Sequence, residues 1–182
     1  MHTSPPAQKM QADQNSLVVY TTAMSYQQPL FNIVLIEPEI PPNTGNVARL
    51  CAATGACLHL VGKLGFSIDD RQLKRAGLDY WDKVQVRQWG TLEELQAAFP
   101  DGRFWFLSTK VARNCYDQEL YQPGDFLVFG KETAGLPAEL LAANQERCLT
   151  IPMPGRVRSL NLSNAVAVVL YEALRQTGQL HD

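Results

Sequence analysis

Short, almost unbroken apolar runs recur along the chain, and a segment of helical character follows most of them. F-N-I-V-L-I at residues 31–36 is the first. A strand with one wet face alternates apolar and polar residues. A run that is apolar at nearly every position fits a strand covered on both faces, as in a parallel sheet between helical layers. Parallel neighbours need long crossovers, and helices supply them. Residues 44–54 read as such a helix, with Val47, Leu50, Cys51 and Thr54 on one face and Gly55 as the stop. L-H-L-V at 58–61 reads as a second strand, 69–76 as a short charged helix, and K-V-Q-V-R-Q-W as an alternating strand. T-L-E-E at 91–94 is a capping box, opening a helix that ends before Pro100. R-F-W-F-L-S and D-F-L-V-F are further strands, and Pro137 suits the first position of a helix over P-A-E-L-L-A-A. A last apolar segment, Cys148 to Ile151, stops at Pro152. This order predicts an α/β fold with a mainly parallel sheet.

A chain of 182 residues suits one domain. Residues 1–29 hold Pro5, Pro6 and Pro29 and little periodicity, so they read as a flexible tail ahead of a domain over 30–182. No apolar run approaches the roughly 20 residues of a membrane span. The N-terminus lacks a signal-peptide pattern, so a cytoplasmic location and no membrane partner are expected. Cys51, Cys57, Cys115 and Cys148 are scattered, with no C-x-x-C pair and no clustered histidines. No metal site and no disulfide framework are expected from that spacing. With a formal net charge of −2, any binding of nucleic acid must come from a local basic patch.

The final helix, roughly 161–177 with Gly178 as its stop, has two apolar faces. Leu162, Ala165, Val166, Val169 and Ala173 form one; Ala167, Val168, Tyr171 and Leu174 form the other. A surface helix needs only one stripe. The second predicts dimerisation through this helix.

Ligands of α/β sheets gather beyond the C-terminal ends of the strands. Three polar loops occupy such positions: I-P-P-N-T-G-N-V-A-R (40–49), F-G-K-E-T-A-G-L-P (129–137) and I-P-M-P-G-R-V-R-S-L-N-L-S-N (151–164). In the last, Ser159, Asn161, Ser163 and Asn164 exceed what capping one helix requires, and they suit a polar ligand at a helix start. Asn43, Asn46, Arg49 and Glu132 bring further donors and acceptors, and Gly45, Gly130 and Gly135 permit close backbone approach. Taken singly, each has a plain reading as a turn former, a cap or a surface charge. Neither G-x-G-x-x-G nor G-K-[ST] is present, and the positions of His2, His59 and His181 suggest no nucleophilic relay.

Read jointly, the loops resemble the SPOUT superfamily of S-adenosylmethionine-dependent RNA methyltransferases. N-x-x-R after the first strand, a Gly-x-Glu loop, and S-L-N-L-S-N-A before the last helix follow the order of its ribose 2′-O-methylating branch. E-P-E-I-P-P-N-T-G-N, R-L-C-A-x-T-G and R-A-G-L-D-Y are closer still to its minimal single-domain tRNA (cytidine/uridine) 2′-O-methyltransferases, which act on the wobble nucleotide. The resemblance covers about residues 31–178; Lys131 and Ala134 depart from the Pro and Arg of many members. It implies a C-terminal trefoil knot, a rare exception to unknotted topology. It also implies S-adenosylmethionine as cofactor, held near Leu107, Gly130, Ile151 and Ser159. A tRNA substrate, leucine tRNAs included, and a homodimer joined through the final helix are implied too. By the same resemblance Arg49 sits at the ribose hydroxyl, with Asn46, Glu132, Ser159 and Asn161 completing the catalytic group. Lys63, Arg71, Lys74, Arg75, Arg156, Arg158 and Tyr171 are the expected tRNA contacts, with Tyr80 or Trp81 nearby. Rival expectations are a knotted RNA-binding module without catalysis, a 2′-O-methyltransferase of another RNA site, and a Rossmann-type small-molecule enzyme.

Overall fold

In the computed structural model, which describes residues 29–66 and 84–180, six parallel strands form one sheet in the order β3-β2-β1-β5-β4-β6. The strands are β1 (Asn32–Ile36), β2 (Cys57–Val61), β3 (Val86–Trp89), β4 (Phe104–Leu107), β5 (Phe126–Phe129) and β6 (Cys148–Leu149). β1 is central, with Asn32 opposite Cys57 on one side and Phe126 on the other. Successive side chains of a strand point to opposite faces. Ile33 and Leu35 therefore enter one core with Leu58, Leu60 and Leu127, while Val34 enters the other with Phe106 and Val128. Helices α1 (Pro41–Thr54) and α4 (Leu162–Gln176) cover the first face. On the second, α2 (Leu92–Ala98) supplies Leu92 and Leu95, and α3 (Ala138–Ala143) supplies Leu141. The unbroken apolar runs are thus strands covered on both sides, as expected.

Helix boundaries differ from the sequence expectation where proline is involved. α1 begins at Pro41, three residues before the expected start, with prolines in its first two positions. Those N–H groups would have no partner inside the helix, so proline loses nothing there. Pro137 is the residue before α3 instead of its first residue. α2 is capped as predicted: Thr91 accepts from the Glu94 amide at 3.2 Å. The Glu94 carboxylate turns back to the Gly90 amide at 2.8 Å. The expected charged helix at 69–76 lies outside the described residues.

α4 corrects its predicted second face. Leu174 is buried in the protomer together with Leu170, Val166 and Val169. The apolar surface left over narrows to half-buried Ala167 and Val168 and to Tyr171, which is 46% exposed. All four cysteines are free and buried, and burial pushes the Cys57 thiol up to about 11. Among the described residues no helix is long and apolar enough to cross a membrane, and no group of His, Cys, Asp and Glu could hold a metal ion.

A cavity at the C-terminal ends of β4, β5 and β6

The three adjacent strands β5, β4 and β6 end at one cavity of about 660 Å³. Leu107 to Lys110 enter it from the end of β4, Phe129 to Gly135 from the end of β5, and Ile151, Met153 and residues 158–161 from the segment after β6. Ile40 and Asn43 at the head of α1, with Leu162 and Ala165 of α4, close the remaining side. The walls are apolar at Leu107, Phe129, Ile151 and Leu162, and the rim carries hydroxyls, amides and cations.

Gly130 is fixed by its surroundings. A Cβ there would lie 2.2 Å from the carbonyl carbon of Gly135, a distance no side chain can occupy. The loop doubles back at that point, the Gly135 amide donating to the Lys131 carbonyl at 2.9 Å. Gly135 holds φ +70, which glycine adopts without a Cβ penalty. At this wall the loop therefore packs backbone against backbone, which fixes its course past the cavity.

A chain of polar contacts ties the loops together. Asn161 caps α4, its Oδ1 accepting from the Ser163 amide at 2.9 Å and hydroxyl at 2.8 Å. Its Nδ2 donates to Asn43 Oδ1 at 2.9 Å, across 118 residues of sequence. Asn43 in turn donates to Glu132 Oε1 at 2.9 Å. The Glu132 carboxylate also accepts from the Glu39 amide at 2.8 Å and the Ile40 amide at 3.2 Å. A carboxylate at the head of α1 answers both the orphan amides and the positive end of the helix dipole.

The expected cofactor residues Leu107, Gly130, Ile151 and Ser159 all line this one cavity, together with Glu132, Asn161 and Arg158. Asn46 and Arg49 do not: both lie on the exposed side of α1, outside the cavity wall. Arg49 is roughly 9 Å along the helix axis from Asn43 at 1.5 Å per residue. Asn43, buried and central to the network, was left out of the expected catalytic group. Its signal was the helix start itself. With α1 opening at Pro41, Asn43 and Asn46 are one turn apart, and only the first meets the cavity. Of the expected tRNA contacts, Lys63, Arg156, Arg158 and Tyr171 are exposed, and only Arg158 borders the cavity. Arg71, Lys74 and Arg75, like Tyr80 and Trp81, lie outside the described residues.

Comparison with known proteins agrees with this geometry. Residues 30–171 match the model of the SpoU rRNA Methylase family. A tRNA (cytidine(34)-2′-O)-methyltransferase of Saccharophagus degradans is 51% identical over 153 residues, covering 82% of this chain and 97% of the relative. A solved structure bearing on 2-OH methylation of C/U34 on tRNA superposes with a TM-score of 0.77 at 46% identity, covering 82% of this chain and 97% of the other. An AdoMet-bound rRNA methyltransferase from Sinorhizobium meliloti gives a TM-score of 0.71 at 25% identity, over 82% of this chain and 57% of its own. From its matched motifs, its parallel sheet and its relatives, the chain belongs to the SpoU methylase family.

Proposed function

We propose that the chain transfers a methyl group from S-adenosylmethionine to the ribose 2′-hydroxyl of the cytidine or uridine at position 34 of tRNA. The observation that carries this reading is the convergence of Leu107, Gly130, Ile151 and Ser159, from the ends of three adjacent strands, on one cavity. Its composition suits the cofactor: apolar side chains for a flat adenine, and backbone and hydroxyl groups for the polar parts. The similarity to a C/U34-methylating relative supports the substrate, and the AdoMet-bound neighbour supports the cofactor.

The bound cofactor supplies an electrophilic methyl on a sulfonium. The chain must align the ribose oxygen with that methyl and stabilise the charge that grows on the oxygen. Arg49 is assigned the second task by family likeness. A guanidinium presents a planar fork of donors and no acceptor, so it acts as a charge stabiliser rather than as a base. Ser159 and Asn161 border the cavity and orient its contents, while Glu132 and Asn43 hold the head of α1 against it. Arg158 at the rim, with Lys63, Arg156 and Tyr171, offers contacts to the RNA.

The same reading takes the crossed strand order, with β4 between β5 and β6, as the trefoil knot. It takes the chain as a cytoplasmic homodimer, joined where Ala167, Val168 and Tyr171 leave α4 uncovered. Sedimentation tests the dimer. Val168→Glu should give monomers, whereas the fully buried Val169 would report on folding instead.

The decisive test incubates the protein with tRNA and methyl-labelled cofactor and maps the label by mass spectrometry. A 2′-O-methyl group at nucleotide 34, absent when that nucleotide is 2′-deoxy, is expected. Binding of tRNA without transfer would favour an RNA-binding module and overturn the enzyme.

A further inference from the structure

Residues 131–133 form one side of the cavity, and each directs its side chain to the segment leading from β1 into α1. Glu132 does so through the network above. On either side of it, Lys131 Nζ meets Glu37 Oε2 at 2.5 Å. The Thr133 amide and hydroxyl both donate to Glu39 Oε2, at 3.2 and 2.7 Å. These outer ties are partly open to solvent, where such pairs add little to stability. Their effect is on geometry.

Glu37 bears this out. It holds φ +46, a left-handed conformation unfavourable for glutamate. Its amide donates to the Val61 carbonyl at 2.8 Å, and Gly62 leaves room beside it: a Cβ there would lie 2.8 Å from Glu37 Cγ. Strained residues persist where their surroundings over-determine them, and they concentrate at functional sites. The carboxylate is held below the usual range, first by the hydrogen bond from Lys131, with the Lys63 amide and charge contributing.

We propose that Glu37 with Lys131, and Glu39 with Thr133, form a clasp that fixes the cofactor loop against the head of α1, making these four positioning residues. The proposal rests on the methyltransferase reading above. α1 is one continuous helix of 14 residues, so a clasp at its head sets the placement of Arg49 about 12 Å further along the axis from Pro41. In-line transfer tolerates little misalignment; a shift of about 1 Å can lower a rate by up to about 10²-fold.

The test compares wild type with the double variant Lys131→Met/Thr133→Val, and with Lys131→Arg/Thr133→Ser, which keeps the charge and the hydroxyl. Single-turnover methylation at saturating tRNA and cofactor should fall about 10-fold in the first and stay near wild type in the second. Cofactor Kd and melting temperature should hardly move in either. Adding Glu37→Gln to Lys131→Met should cost nothing further, because both remove one interaction. A double variant with wild-type turnover would overturn the clasp. So would a loss confined to cofactor affinity or folded fraction, or an Arg/Ser variant as slow as the Met/Val one. If wild type itself transfers no methyl to tRNA, the methyltransferase reading falls and the clasp with it.

Discussion

Two polar networks differ in what surrounds them: one packs among the aromatic residues of the sheet's second face, the other borders the cavity at the strand ends. In the core, the Trp89 indole donates to His59 Nδ1 at 3.0 Å. His59 Nε2 then faces Asn32 Oδ1 at 3.0 Å, and Asn32 Nδ2 donates to the Gly124 carbonyl at 2.9 Å. With Nδ1 accepting, the ring proton sits on Nε2 and the imidazole is neutral. Phe99 and Phe126 close over the ring, and every link ends on protein. The Asn161–Asn43–Glu132 network is built from the same kinds of group, yet it borders a cavity, with Asn161 exposed and Glu132 half-buried. A sealed network of this kind fixes strands in register. An open one fixes loops around something that enters and leaves. Similar hydrogen-bond lengths therefore carry different consequences, and burial decides which.

The contrast can be broken most forcefully from the sealed side. His59→Ala removes a buried ring and strands the Trp89 donor, so stability should fall by about 3–5 kcal/mol. Methylation per folded molecule should be unchanged. Denaturant unfolding beside an activity assay checks both, and a variant that keeps its stability but loses turnover would reverse the assignment. On the open side, Arg49→Ala should lower single-turnover methylation by about 10²-fold or more, near 2.7 kcal/mol, with little effect on melting. Arg49→Lys should recover part of that, since an ammonium lacks the planar fork.

Acidity offers a gentler separation. Burial, followed by the nearby Arg87 charge, lowers His59 to about 3 from 6.5. Between those values the unfolded chain binds a proton that the folded chain does not. His59 therefore contributes nothing against protonation above about pH 6.5, and stability drops by about 1.4 kcal/mol for each pH unit below it. Urea midpoints measured from pH 7 to 4 should follow this slope, and His59→Gln should flatten it. The smallest expected effect is that of Asn161→Ala, which removes the α4 cap for about 1 kcal/mol. Its rate should fall by more than that loss of stability explains, because Asn43 loses its partner across the site.

The strands were legible because residues buried on both faces leave continuous apolar runs, and those at 31–36, 104–107 and 126–129 lie where expected. Proline was misread at both helix starts. It is a breaker within a helix and neutral in the first turn, and composition does not say which applies. The cavity was legible in outline, since loops at strand ends carried its glycines and amides. Asn43 was missed for the same reason as the start of α1: its facing depends on a register set by Pro41. The clasp was invisible, because Lys131 and Glu37 lie 94 positions apart and a surface charge looks the same with or without a partner. Leu174 shows the converse limit: an apolar residue on a second helix face can be covered by its own protomer.

The hydrogen bond between Asn43 and Asn161 joins an early helix to a late one, and it has a bearing on how the chain comes into being. Contacts distant in sequence close late, after nearer ones have formed. During synthesis β1, β2 and β3 can pair as soon as they emerge, but the cavity has no third wall until residues 151–162 have been added. A nascent chain can therefore hold half of its sheet while lacking any place for a ligand. Competence arrives in a single late step, when the last segment seats beside β4 and α4 docks on α1.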